Sequence, residues 1–382
     1  MWPGWRGPGR DGRVAWLPES LAAEPQFVWR HGLDHPGLGG IAVSERFVVF
    51  GDRDFGDFQD EFRCLDAETG EELWSVQRLA IGQLDYGNSP RATPLIVGNN
   101  AVCLGAFGRL VCIALPTGEV VWECDLAAEF PVSTELPWGY CGSPLLVDGK
   151  LIVAPGSPEA SLIALDPADG RIIWKTPGGG PSHGSLVALP TPPGTKAVMI
   201  VGHDADSLGA WNAATGARLW AVRPPASGDF NVPTPIPLSG ERLLITTENN
   251  GTRLFQLREN AVPTLLASGH RLHPDMSTPV VVGDRIYCVN EFLYCLSLTD
   301  GLTELWRIRD PALSDYAAIL ATDDRLLIVA DGELLLMNAD GSQKIEFRQR
   351  VFAADVPVFS HPALVGKRLY LRGEHEIVCL QL

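Results

Sequence analysis

The sequence lacks the features that would commit it to a membrane or to a locally written catalytic motif. No run of about 18 apolar residues occurs, so no membrane-crossing helix is expected. Met1 leads straight into Trp2-Pro3-Gly4, without a basic and apolar leader or a lipid-attachment cysteine. As it stands the chain is expected in the cytoplasm, or in the periplasm if a leader has been trimmed away. Blocks of five or six like charges are missing, and cations are scarce: 30 Lys and Arg face 46 Asp and Glu, a net charge of −16. That balance argues against nucleic acid or an anionic membrane surface as partner and favours a cationic or neutral one. There is no CxxC, no adjacent cysteine pair, no His-x-His, no HExxH and no GxSxG, so the usual local signatures of metal hydrolases and nucleophile elbows are absent. The glycine-rich residues 178–185 lie between two strands and not before a helix, so they do not read as a phosphate cradle.

What the sequence has is repetition. Residues 162–174, LIALDPADGRIIW, read as a strand, a Pro-Ala-Asp-Gly turn and a returning strand that ends in tryptophan. The unit recurs as CLDAETGEELW, CIALPTGEVVW, AWNAATGARLW and CLSLTDGLTELW. Trp74, Trp122, Trp174, Trp220 and Trp306 are therefore spaced by 48, 52, 46 and 86 residues. The last interval is about two periods, with Leu265 or Leu266 expected in place of a missing Trp. Trp29, 45 residues before Trp74, and Phe347, 41 after Trp306, bring the count to eight repeats. Such periods indicate a closed array.

Each repeat also carries an inner hairpin, as in residues 143–154, giving four short antiparallel strands with Gly and Asp turns. The expected fold is all-β, an eight-bladed propeller forming one domain over residues 1–382. Blades run from 40 to 382, and residues 26–30 supply a fourth strand beside 376–380 that removes two free sheet edges. Residues 1–25 are expected to strap across one face, anchored by Trp2, Trp5 and Trp16, with Arg6, Arg10 and Arg13 paired to the acidic surface.

Cys64, Cys295 and Cys379 fall where other repeats carry Ala164 and Ala210, which points to buried free thiols in a slot for a small side chain. Pairing of Cys103 with Cys112, or of Cys288 with Cys295, stays open. The acidic loop GDRDFGDFQDE, residues 51–61, reads as a solvated blade loop.

The repeats ALDPADGRIIW and LDAETGEELW resemble the tryptophan-docking repeats of the quinoprotein-type, pyrroloquinoline quinone (PQQ)-like propellers, over nearly the whole chain. The opening WPGWRGPGRDG is similar to the start of a bacterial group of such propellers. In the alcohol-dehydrogenase type, the family places PQQ between a Trp and a vicinal disulfide, beside a calcium held by carboxylate and amide oxygens, with an Asp base. The resemblance thereby makes PQQ and calcium conceivable cofactors here. Trp138 would be the platform, Asp229 or Asp275 the base, and Glu248 with Asn249 the calcium pair. Adjacent cysteines, however, are missing.

In a propeller of this strand order, the connections entering the inner strands share one face with the loops between second and third strands. The entering connections carry His35, Tyr86, Asn88, Trp138, Tyr140, His183, Asp229, Asn231, His273, Asp275, Asp315, Tyr316 and His361. Convergence of His, carboxylate, amide and aromatic groups at one concave mouth suits a small molecule or ion. Polar groups that merely satisfy strand ends are the competing account. The expectation is a monomeric binding module that takes a small molecule or a protein at the funnel face. A PQQ- and calcium-dependent oxidoreductase and a metal-dependent enzyme using the mouth's His and Asp are the alternatives.

Overall fold

The computed structural model describes residues 1–132, 136–191, 197–259, 261–353, 356 and 358–382. Eight four-stranded antiparallel sheets follow one another around a ring. Seven are built in simple order by residues 42–79, 95–125, 145–176, 187–222, 236–269, 280–308 and 317–350, here blades 1 to 7. Blade 8 combines Ala363–Val365, Arg368–Arg372 and Glu376–Gln381 with the N-terminal strand Phe27–Gly32, in which Trp29 stands opposite Cys379. Both chain ends thus share one sheet, and neither leaves a long free edge.

The strands read differently by position because they are covered differently. A third strand such as Glu333–Asn338 is packed between blades on both faces, so its ELLLM is a continuous buried run. An outer strand such as Glu72–Leu79 is covered on one face, and its burial alternates through Trp74 and Val76.

The repeat tryptophans lock each blade to the next. Trp29, Trp74, Trp122 and Trp174 donate their indole N–H to the carbonyls of Ala67, Leu115, Pro167 and Ala213, at 2.7–3.1 Å. Their rings lie on the turn glycines Gly70, Gly118, Gly170 and Gly216, where a Cβ would come within 2.5–2.7 Å of the indole. These glycines also hold φ near +73°, so glycine is required twice over. The small slot opposite each Trp is occupied by Cys64, Cys112, Ala164, Ala210, Cys295 or Cys379. All eight cysteines are free, so neither proposed pairing forms.

Blade 5 departs from the expectation. Leu265 and Leu266 do not replace the missing Trp: both are half exposed. The register shift beside Leu254 puts Ala267 in that position, so the docking side chain is simply truncated there.

Neighbouring inner strands are clasped at their starts by hydroxyls. The backbone N–H of Thr93 donates to Ser143 Oγ, that of Ser143 to Ser185 Oγ, that of Thr234 to Thr278 Oγ1 and that of Ala317 to Ser277 Oγ, at 3.0–3.1 Å. This gives the recurrent Ser/Thr before the inner strands a physical role.

The N-terminal segment does not strap across a face. It enters the ring and fills its axis. Trp2 bridges to Val43 of blade 1, and Pro3 accepts from the N–H of Ile96 in blade 2. Arg10 donates to the carbonyls of Ser143 and Pro144 at blade 3, and Trp5 Nε1 to Thr234 Oγ1 at blade 5. Arg6 bonds the carbonyls of Thr278 and Pro279 at blade 6, Val14 bonds Ala321 at blade 7, and Trp2 stacks on His361 at blade 8. A segment that touches the innermost strand or its entry in seven of eight sheets can only lie at the centre. Of the three arginines expected to meet acidic surface, only Arg13 does so, pairing with Asp323. Arg6 and Arg10 serve backbone carbonyls, and Lys367 sits 5.3 Å over the Trp16 ring.

Candidate funnel-face site

The two sets of loops predicted to share a face do meet. His35 Nε2 lies 3.3 Å from the Phe55 carbonyl, Asn88 donates to Asp57 at 2.7 Å, Ser182 donates to the His203 carbonyl, and Asn249 N–H donates to Asp229 at 2.7 Å. Each bond ties a connection that enters an inner strand to a loop between second and third strands.

Part of the predicted set converges. Trp138, entering blade 3, meets His183, entering blade 4, with ring centres 4.7 Å apart, and Phe230, entering blade 5, at 4.4 Å; both contacts are edge-to-face. Trp138 Nε1 and His183 Nδ1 are buried here, and Tyr140 Oη in the blade 2 core, without a hydrogen-bond partner among the described residues. Burial, with a smaller push from the Arg91 charge, lowers the His183 pKa to about 4. Burial raises that of Tyr140 to about 12. Asp229 anchors the next loop, accepting from Asn249 N–H and from the Asn250 side-chain amide at 2.5 Å. Asn231 is buried with φ +57° and donates to the Asp229 carbonyl. Glu248 Oε1 accepts from Phe230 N–H, while its buried Oε2 has no partner among the described residues and burial raises its pKa.

Other predicted residues stand apart. Tyr86 is exposed on its turn, His273 and Asp275 face solvent, and Asp315 is exposed. Asn88 is committed to Asp57 and Leu84 N–H. Tyr316 rests 6.1 Å from Phe359, and the Arg6 charge acts on it. His361 is buried against Trp2 and Trp5, and burial plus the Arg6 charge lowers its pKa to about 3. These last two serve the plugged axis and do not open to the face.

The acidic loop is only half solvated, contrary to expectation. Arg53, Asp52 and Asp60 are buried. Arg53 pairs with Asp57 at 2.8 Å and with Asp60 at 2.9 Å, and burial lifts the Asp60 pKa to about 6 against the pull of that arginine. On the blade 8 side, Arg372 bonds Asp52 at 3.0 Å.

Two features escaped sequence reasoning. Between blades 4 and 5, His203, Asn231 and Arg253 line a cavity of about 10 Å³, room for about one water. Among the described residues, both ring nitrogens of His203 and Arg253 Nε lack partners there. The second is apolar: Phe55, Phe58, Leu79, Ile81 and Tyr86 are exposed on this face. The only sequence signal was an apolar run, Leu79-Ala80-Ile81, continuing past the end of its strand.

The quinone and calcium implied by the resemblance can be tested on these groups. Calcium needs carboxylate and amide oxygens with free lone pairs. Glu248 Oε2 has free lone pairs, but Trp138 already lies edge-to-face against His183 and Phe230, and the sequence holds no adjacent cysteines to cover the quinone's other face. Residues 2–14 fill the axis. The arrangement does not fit that cofactor set, and no chemical step is derived through it. Among the described residues, no group of three His, Cys, Asp or Glu side chains is placed to hold a metal ion. No described helix is long and apolar enough to cross a membrane.

Fold and face together define a PQQ-type repeat propeller with a plugged axis and a loop-built face. The family model described as Outer membrane protein assembly factor BamB matches residues 20–137 and 106–310, and the chain belongs to that family. It is 24% identical over 254 residues to the outer membrane protein assembly factor BamB of Shewanella oneidensis, covering 59% of this chain and 60% of that protein. It is also 24% identical over 159 residues to the dehydrogenase subunit of the quinone alcohol dehydrogenase of Gluconobacter oxydans, covering 39% of this chain and only 20% of that subunit. The matches therefore span less than two thirds of either relative. Among solved structures, BamB from Moraxella catarrhalis superposes with a TM-score of 0.61 at 17% identity, over 93% of this chain and 97% of that one. The quinohemoprotein alcohol dehydrogenase ADHIIG from Pseudomonas putida HK5 gives 0.72 at 12% identity, over 100% and 80%. At such identities the likeness is one of fold.

Proposed function

We propose that this protein is a non-catalytic binding propeller that takes its ligand or protein partner on the funnel face. The observation that carries the reading is the N-terminal plug: with Trp2, Trp5 and Arg6 filling the axis, recognition falls to the loops around it. Within that face, Trp138, His183 and Phe230 offer an aromatic surface next to Asp229 and Glu248, a combination suited to amphipathic or cationic groups. The assembly-factor relatives support a protein as partner. The opening WPGWRGPGRDG, which forms the plug, supports placing the chain in the bacterial group with that opening.

The test is a titration of the full chain with PQQ and calcium chloride, read by the cofactor's absorbance and by a dye-linked dehydrogenase assay with alcohols. Neither stoichiometric binding nor turnover is expected. Stoichiometric uptake with dye reduction overturns the reading in favour of an oxidoreductase.

A further inference from the structure

The rim of blades 1 and 2 carries an apolar surface that the polar centre of the face does not account for. The loop between the second and third strands of blade 1 exposes Phe55 at 86% and Phe58 at 59%. The connection into blade 2 exposes Leu79, Ile81 and Tyr86 at 66%, 67% and 77%. Several large apolar side chains exposed on adjoining loops mark an interaction site on a folded protein, whereas single exposed side chains do not.

The surface is built. Ala80 N–H donates to the Phe58 carbonyl at 2.9 Å, and Asn88 holds Asp57 from the neighbouring connection at 2.7 Å. Asp54 accepts from the backbone N–H groups of Gly56, Phe58 and Gln59, which fixes the loop that presents both phenylalanines. Gly82 lets the chain pass directly over the Phe107 ring, since a Cβ there would come within 2.1 Å of it. Between these elements and Ala127 and Ala128 of blade 2 lies a groove of about 380 Å³, floored by Leu79, Ile81 and Phe107.

Charge identifies the occupant. The cations beside the groove are already committed: Arg109 to Asp125 at 3.0 Å, Arg78 to Glu123 at 2.6 Å, buried Arg53 to Asp57 and Asp60, and Arg91 to the backbone carbonyls of Asp85 and Gly87. Asp54, Asp85 and Glu129 border the patch without a salt bridge among the described residues. We propose that this rim groove docks a partner polypeptide whose bulky apolar side chains are flanked by Lys or Arg. The apolar side chains fill the groove and the flanking cations meet Asp54, Asp85 and Glu129. An anionic lipid surface, or a second copy of a chain carrying −16, would meet like charge instead. The proposal deepens the binding reading by naming the partner's chemistry, and it rests on that reading.

Three labelled hexapeptides, KLFIFK, ELFIFE and KSSSSK, test it by fluorescence anisotropy with the full chain. KLFIFK is expected to bind at least tenfold more tightly than the other two. Phe55→Ser combined with Ile81→Ser is expected to weaken it at least tenfold, with the melting temperature unchanged. Asp85→Asn with Glu129→Gln is expected to lower affinity and flatten its salt dependence. Equal binding of KLFIFK and ELFIFE, absence of binding, or full binding by the Phe55/Ile81 variant overturns the proposal. In the last case, loss of binding in Trp138→Ala with Phe230→Ala leaves the face in use at its centre, whereas retention removes both readings. Sedimentation velocity completes the test. Self-association that the Phe55/Ile81 variant abolishes would make the occupant a second copy and overturn the cationic-partner assignment.

Discussion

The axis of the ring and the rim of blades 1 and 2 are opposites. At the axis, Arg6, Trp2 and His361 are almost wholly buried, and the guanidinium spends its donors on the carbonyls of Thr278, Pro279 and Asp11. At the rim, Phe55 and Ile81 touch solvent with most of their surface. Polar groups are thus buried where apolar ones would be expected, and apolar groups are exposed where polar ones would be. Each inversion is costly alone, so each points to a use: the first closes the ring around its own chain, and the second leaves room for another chain.

Substitutions should separate the two regions. Arg6→Ala is expected to have the largest effect, a loss on the order of 3 kcal/mol in denaturant unfolding, because three carbonyls at the centre lose a charged donor. A change below about 0.5 kcal/mol would show the plug to be an ornament of the ring and would dissolve the contrast.

Next comes acid sensitivity at the centre. His361 is held neutral, its pKa lowered to about 3 by burial and by Arg6. In the unfolded chain it takes up a proton near pH 6.5, which the folded state refuses. Its contribution is therefore present above about pH 6.5 and is lost as pH falls toward 3. His361→Phe should make the change in stability between pH 7.5 and 4.5 smaller by about 2 kcal/mol, as read from urea melts. His183 and His203, both lowered to about 4, leave a residual slope of the same sign. An unchanged pH profile would mean that His361 exchanges protons freely.

The smallest effect belongs to the rim. Phe55→Ser with Ile81→Ser should shift unfolding free energy by no more than about 0.5 kcal/mol, since neither side chain supports the core. A larger loss would make the patch part of the fold and erase its distinction from the axis.

The ring was legible because its determinants are local and repeated. Each turn glycine must accept an indole from the preceding blade, and Gly70, Gly118, Gly170 and Gly216 recur four residues before the tryptophans of their own blades, Trp74, Trp122, Trp174 and Trp220. The closing strand was legible for the same reason, since Trp29 and Cys379 fill the same paired positions as Trp74 and Cys64. Blade 5 was misread because its register shift displaces the docking position to Ala267, and composition alone favours the larger Leu265 and Leu266.

The plug was legible only as a tryptophan-anchored strap, because several of its partners are main-chain carbonyls, which leave no trace in sequence, and its side-chain partners Thr234 and His361 lie far along the chain. The predicted face emerged as a set of loops, but only Trp138, His183, Asp229 and Asn231 came together on it. His361 packs against Trp2 and Trp5 of the plug, contacts that no spacing between residues 2 and 361 reveals.

Blade 8 also constrains how the molecule is made. The strand Phe27–Gly32 leaves the ribosome before blades 1 to 7, and its partner Glu376–Gln381 leaves after them. Until that partner emerges the early strand has no place to pair, and the seven sheets between must assemble with an unfinished seam. Closure then links two strands separated by all of blades 1 to 7, an entropically expensive long-range contact. Closing the ring thus waits for the strand Glu376–Gln381, and until it arrives the nascent protein carries an open edge for a chaperone to guard.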